Sequence, residues 1–88
     1  MTARMLSASQ KRILLAIARG YRLKDHRDIE GNKVFILHAP DESGEPVARE
    51  DVETLVDLGL ISSNKKFPSA TYWLTPAGQA LAQQIAID

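Results

Sequence analysis

The sequence predicts an α+β domain with the element order α-β-β-α-β-β-α, and three observations predict it. Apolar residues recur at helical spacing over residues 6–17, 52–56 and 77–85. Between them, residues 21–38 and 60–74 alternate in character and are each broken by turn-forming residues. The joints carry stop and start residues: Gly20 and Gly59 follow helical stretches, while Ser7 and the Thr75-Pro76 pair precede them. At 88 residues the chain is read as one domain over 1–88, with 1–5 expected to be a flexible start.

The first helix runs from Ser7 to Arg19. Ser7 and Gln10 stand at capping-box spacing, and Leu6, Ile13, Leu14 and Ile17 fall on one side. Arg12 and Arg19 project together from the opposite side. Residues 21–38 read as a hairpin turning at Gly31-Asn32, a pair suited to a two-residue loop. That loop would pair Ile29 with Val34, Arg27 with Ile36 and Asp25 with His38. Leu23, Ile29, Val34 and Ile36 would then share one side, with Phe35 and Leu37 on the other. His26 and His38 would point to opposite sides, so no metal site is expected.

Residues 39–47, with two prolines, a glycine and three acids, read as an exposed loop. The second helix spans Arg49–Leu58. Val52, Leu55 and Val56 form its apolar stripe, and Glu50, Asp51 and Glu53 suit the positive end of its dipole. Ala48 is a poor cap, and Glu50, Glu53 and Asp57 face outward together. Leu60–Ser63 and Ala70–Leu74 are expected to pair around residues 64–69, with Tyr72 and Leu74 on one side and Thr71 and Trp73 on the other. The last helix is expected from Pro76 to about Ile85, with Ala77, Leu81 and Ile85 inward.

Eleven basic and eleven acidic residues cancel, but they are unevenly spread. Residues 1–24 hold six bases and no acid, residues 25–57 hold ten acids, and Lys65 and Lys66 follow. The chain has no cysteine, which removes disulfides and thiolate metal sites and fits a reducing cytoplasm. Lys11 and Arg12 interrupt any signal-peptide core, and no segment has the apolar length of a membrane span. The expectation is a soluble cytoplasmic domain.

The stretch LGLISSNKKFPSATYWLTPAG, residues 58–78, resembles the ending of a winged helix-turn-helix domain. In that superfamily a recognition helix closes on a Gly-Leu-Ile/Val phrase, a two-stranded wing follows, and a Leu-Thr-x-x-Gly phrase opens the last helix. Here those phrases are Gly59-Leu60-Ile61 and Leu74-Thr75-Pro76-Ala77-Gly78, and the resemblance covers roughly the last 40 residues. It implies a winged-helix-like fold in which a hairpin replaces the helix that normally precedes the recognition helix. The same resemblance implies a regulatory module associated with DNA.

Two functions stay open. As a nucleic-acid-associated module, the chain would contact phosphates through Arg12 and Arg19 and through Lys65 and Lys66 at the wing tip. As a protein-interaction or homodimerisation module, it would offer the acidic stripe Glu50, Glu53 and Asp57 and an aromatic anchor, Trp73. Three carboxylates on the second helix oppose its insertion into a DNA groove. Neither a phosphate cradle nor a nucleophile-base arrangement nor a ligand cluster is present in the sequence, so neither catalysis, a cofactor nor a small-molecule ligand is expected.

Overall fold

Helix α1 (Ala8–Ala18) begins as its capping box dictates. Ser7 Oγ accepts from Gln10 N at 3.2 Å, and Gln10 Oε1 accepts from Ser7 N at 2.9 Å. The computed structural model describes residues 6–41, 43–64 and 69–87. After α1 come β1 (Arg22–Arg27), β2 (Lys33–His38), β3 (Gly44–Val47), α2 (Arg49–Asp57), β4 (Ile61–Ser63), β5 (Thr71–Leu74) and α3 (Pro76–Ile87). The strands form one antiparallel sheet in the order β3-β2-β1-β5-β4. The expected start at 1–5 lies outside the described residues.

The core lies between one face of this sheet and the helices. Ile13 and Leu14 of α1, Val52 and Leu55 of α2, and Leu81 and Ala82 of α3 pack with Leu23, Phe35, Leu37, Ile61 and Leu74 of the strands. Burial of these side chains drives the assembly, since each fully buried aliphatic chain contributes about 1.5–3 kcal/mol. Asp51 ties two helices at their starts, accepting from Ser9 Oγ at 2.8 Å and Gln10 Nε2 at 3.2 Å.

Gly59, at φ +73°, ends α2 as expected. Its N–H bonds Val56 O and the Leu60 N–H bonds Leu55 O, the paired bonds of a Schellman stop. Thr75 caps α3 by accepting from Gly78 N at 3.0 Å while its hydroxyl donates to Gly59 O at 2.6 Å. One side chain thus fastens the start of α3 to the end of α2.

Five expectations are corrected. The order is α-β-β-β-α-β-β-α, because residues 44–47 form a strand. Pro46 is accommodated there because β3 is the sheet edge, where a missing N–H costs no ladder bond. The first hairpin turns through residues 28–32 rather than at Gly31-Asn32 alone. The Asp28 carboxylate accepts from Glu30 N and Asn32 N at 3.0 and 2.8 Å, and this side-chain turn overrides the two-residue loop. Asp25 is therefore opposite Phe35, three positions from the expected His38, and an odd shift exchanges the faces. Finally, Val56 is 42% exposed, and Ala77 is exposed with Gly78 inward in its place.

Candidate functional site

The corrected register decides which side chains reach solvent from the sheet. Leu23, Phe35, Leu37, Tyr72 and Leu74 face the helices, and so does Asp25, a carboxylate only 4% exposed. Its Oδ1 accepts from Ala70 N at 2.9 Å, and its Oδ2 accepts from the Tyr72 hydroxyl at 3.1 Å. Lys33 Nζ stands 3.9 Å from Oδ2. Asp25 therefore locks β5 onto β1. Burial first, then the bond to Asp25, pushes the Tyr72 phenol up to about 12. These contacts hold the sheet together and leave its opposite face open.

On that open face, β1 presents Arg22, Lys24 and His26, and β2 presents Val34, Ile36 and His38. Arg22 is opposite His38, which is opposite Gly44 of β3. On the other flank Lys24 is opposite Thr71, so the continued register brings Trp73 beside Arg22, with Ser62 of β4 beyond it. A row of Gly44, His38, Arg22, Trp73 and Ser62 crosses the sheet. No acidic residue of the strands occupies this face among the described residues.

Arg22, Lys24, His26 and His38 line a shallow depression of about 590 Å³. The imidazoles meet edge to face, with centroids 5.6 Å apart at 86° and Nε2 to Nε2 at 3.4 Å. At that distance one ring donates and the other accepts. The shared face of the two histidines corrects the expectation that they diverge. Among the described residues, no group of three or more His, Asp or Glu side chains could hold a metal ion.

Of the residues singled out in the sequence, Arg12 and Arg19 do line one depression, together with Lys11, on the α1 side. Arg12, however, is engaged by Glu45 of β3, whose carboxylate raises its pKa above the ordinary value, chiefly by the hydrogen bond. Lys65 and Lys66 lie outside the described residues. Glu50, Glu53 and Asp57 are exposed along α2, with Arg49 Nε bonded to Glu53 at 2.9 Å. Trp73 is 46% exposed on the open sheet face, bordering a depression shared with Ile17 and Ala18 of α1 and Gln79 and Gln83 of α3. The acids and Trp73 belong to different surfaces, since α2 packs on the sheet side that Tyr72 and Leu74 face.

Sequence reasoning does not single out Arg22 and Lys24, and it weighs His26 and His38 only as metal ligands. Their signal is the alternation Arg22-Leu23-Lys24-Asp25-His26, which sends three nitrogen-bearing side chains to one face whatever the partner strand. Comparison with protein-family models, curated proteins and solved structures finds no match for this chain. Among the described residues, no helix is long and apolar enough to cross a membrane.

Proposed function

We propose that this chain is a small, non-enzymatic, winged-helix-like regulatory module that associates with nucleic acid through its open sheet face. One observation carries the reading: a chain of zero net charge segregates its charges by surface. The open face holds Arg22, Lys24, His26 and His38 without an acid from its strands, while Glu50, Glu53 and Asp57 project from α2 on the other side. Neither Arg22 nor Lys24 is ion-paired among the described residues. A polyanion is attracted to the first surface and repelled by the second.

An open sheet face that carries Trp73 favours a single strand, whose unstacked bases lie on aromatic faces while basic side chains hold its phosphates. The first hairpin enlarges the sheet where the resembled superfamily has a helix, so contacts shift from helix to sheet in this reading. α2 carries acids where groove insertion needs bases, which argues against duplex reading. Fluorescence anisotropy with a labelled single-stranded oligonucleotide at two salt concentrations tests the proposal. Tight binding at low salt, weakened together with its salt dependence by Arg22→Ala/Lys24→Ala, is expected. Binding indifferent to that double substitution would refute it.

A second reading is favoured by Val56 and Leu58, both exposed beside the acidic stripe of α2. Apolar side chains among carboxylates suit a basic, amphipathic protein partner. In that case Glu53→Gln/Asp57→Asn abolishes partner capture, and oligonucleotide binding is absent in every variant.

A further inference from the structure

We propose that this chain docks head to tail on further copies of itself, the outer face of α2 seating in the basic depression on α1. The inference deepens the second reading of α2, since it names the basic partner as another copy, and it leaves the open sheet face free. The depression on α1 measures about 380 Å³ and is lined by Lys11, Leu15 and Arg19, with Tyr21 and, from α3, Ile85. Lys11, Leu15 and Arg19 are spaced four residues apart, so base, apolar side chain and base follow one another in a single stripe. Arg12 in the same depression is engaged by Glu45, whereas Lys11 and Arg19 have no ion pair among the described residues.

The counterpart is on α2. Glu50 and Asp57 are exposed on one side of the helix and have no ion pair among the described residues. At about 1.5 Å per residue they span about 10 Å, against about 12 Å from Lys11 to Arg19. Val56, 42% exposed, borders that side and lines a depression with Glu53 and Asp57. Leu15 and Ile85 supply the apolar surface for it to cover. The depression on α1 reaches Glu45, opposite Leu37 towards the end of β2, whereas the one beside Val56 reaches Lys33 at its start. The two surfaces therefore stand apart on one copy and meet only between copies. A two-fold contact through either surface alone sets acids on acids or bases on bases, which opposes a symmetric dimer. A head-to-tail contact pairs opposite charges, and every docked pair keeps one surface of each kind for the next copy.

Sedimentation velocity of the full chain from about 10 μM to about 1 mM tests the proposal, since so small a contact is expected to be weak. The average mass should rise past that of a dimer with concentration and fall back in about 1 M salt, where the Debye length is about 3 Å. Lys11→Gln/Arg19→Gln and Glu50→Gln/Asp57→Asn should each weaken association roughly tenfold or more, because one pair of opposite charges at about 4 Å in water is worth about fivefold. The two variants mixed in equal amounts should form a one-to-one pair and grow no further, because each retains the surface that the other has lost. That recovery also shows both variants to be folded. A monomer at every concentration, association that ignores both double substitutions, or a mixture that does not pair overturns the proposal. A monomer that binds a labelled basic amphipathic peptide, and loses it on Glu53→Gln/Asp57→Asn, overturns self-docking alone and leaves the second reading of α2 standing. A monomer that ignores the peptide overturns both.

Discussion

Gly78 lies so close to the Leu60 carbonyl that a β-carbon at residue 78 would stand 1.9 Å from that oxygen. This approach lets Thr75 bridge Gly59 O and Gly78 N, and so seats α3 on the end of α2. Gly78 is needed here for space, unlike Gly59, which is needed for its left-handed backbone.

Gly78→Ala is therefore expected to destabilise the chain by about 3 kcal/mol or more, because backbone must move to admit the methyl group. Ala77→Gly, one residue earlier and exposed, is expected to cost about 1 kcal/mol through helix propensity alone. Urea unfolding followed by circular dichroism compares the two. Similar midpoints for both variants would show that the close approach does not exist in solution.

A second prediction concerns alkaline pH. The Tyr72 phenol is held up to about 12, above its ordinary value near 10, first by burial and then by its bond to Asp25. The folded pKa is the higher one, so the stabilising contribution is complete below about pH 10 and is lost as pH rises through 12. In a Tyr21→Phe background, absorbance at the phenolate band should titrate near 12, and Asp25→Asn should move it down. Tyr72→Phe should remove this alkaline loss of stability at a cost of about 1 kcal/mol at neutral pH. Asp25→Ala should cost more, about 2–3 kcal/mol, because it leaves the buried Ala70 N–H unsatisfied.

These bonds also mark where sequence reasoning reached and where it stopped. The capping box of Ser7 and Gln10, the stop at Gly59 and the cap at Thr75 are local, so their residues announce them. The Asp28 turn is local too, but a carboxylate accepting two backbone N–H groups competes with a glycine pair that reads equally well as a turn. A turn at Gly31-Asn32 would shift the register by three positions and part both the Asp25 lock and the facing histidines. β3 was illegible for another reason: Gly44 and Pro46 disfavour a strand everywhere except at an edge, and edge position is a property of the whole sheet. Arg12 was legible as a base, whereas its partner Glu45 lies on that unseen strand.

The third prediction separates the two basic surfaces. Arg12 is already engaged by Glu45, and Arg19 lies with it on the α1 side. Arg12→Ala and Arg19→Ala should each weaken single-strand binding less than Lys24→Ala does. The slope of log affinity against log salt should fall by about 0.7 for each phosphate that Arg22 or Lys24 no longer neutralises once replaced by alanine. If the α1 substitutions reduce that slope instead, the binding surface is the helical side.

The last prediction concerns Trp73, about half exposed in the row between Arg22 and Ser62. As the chain's one tryptophan, it reports on its own surroundings. Stacking on a base removes water from one indole face, so oligonucleotide binding should quench its fluorescence and protect it from iodide. Trp73→Ala should then cost about 1–3 kcal/mol of affinity, the usual worth of one base stacked on an aromatic side chain. Trp73→Phe keeps a ring and should recover part of that affinity, whereas Trp73→Leu keeps apolar bulk without a π-face and should not. The three substitutions divide stacking from packing because Trp73 points away from the core that Tyr72 and Leu74 enter. Equal affinity for the leucine and phenylalanine variants would identify an apolar contact. Quenching by a basic peptide but not by an oligonucleotide would assign the indole to a protein partner.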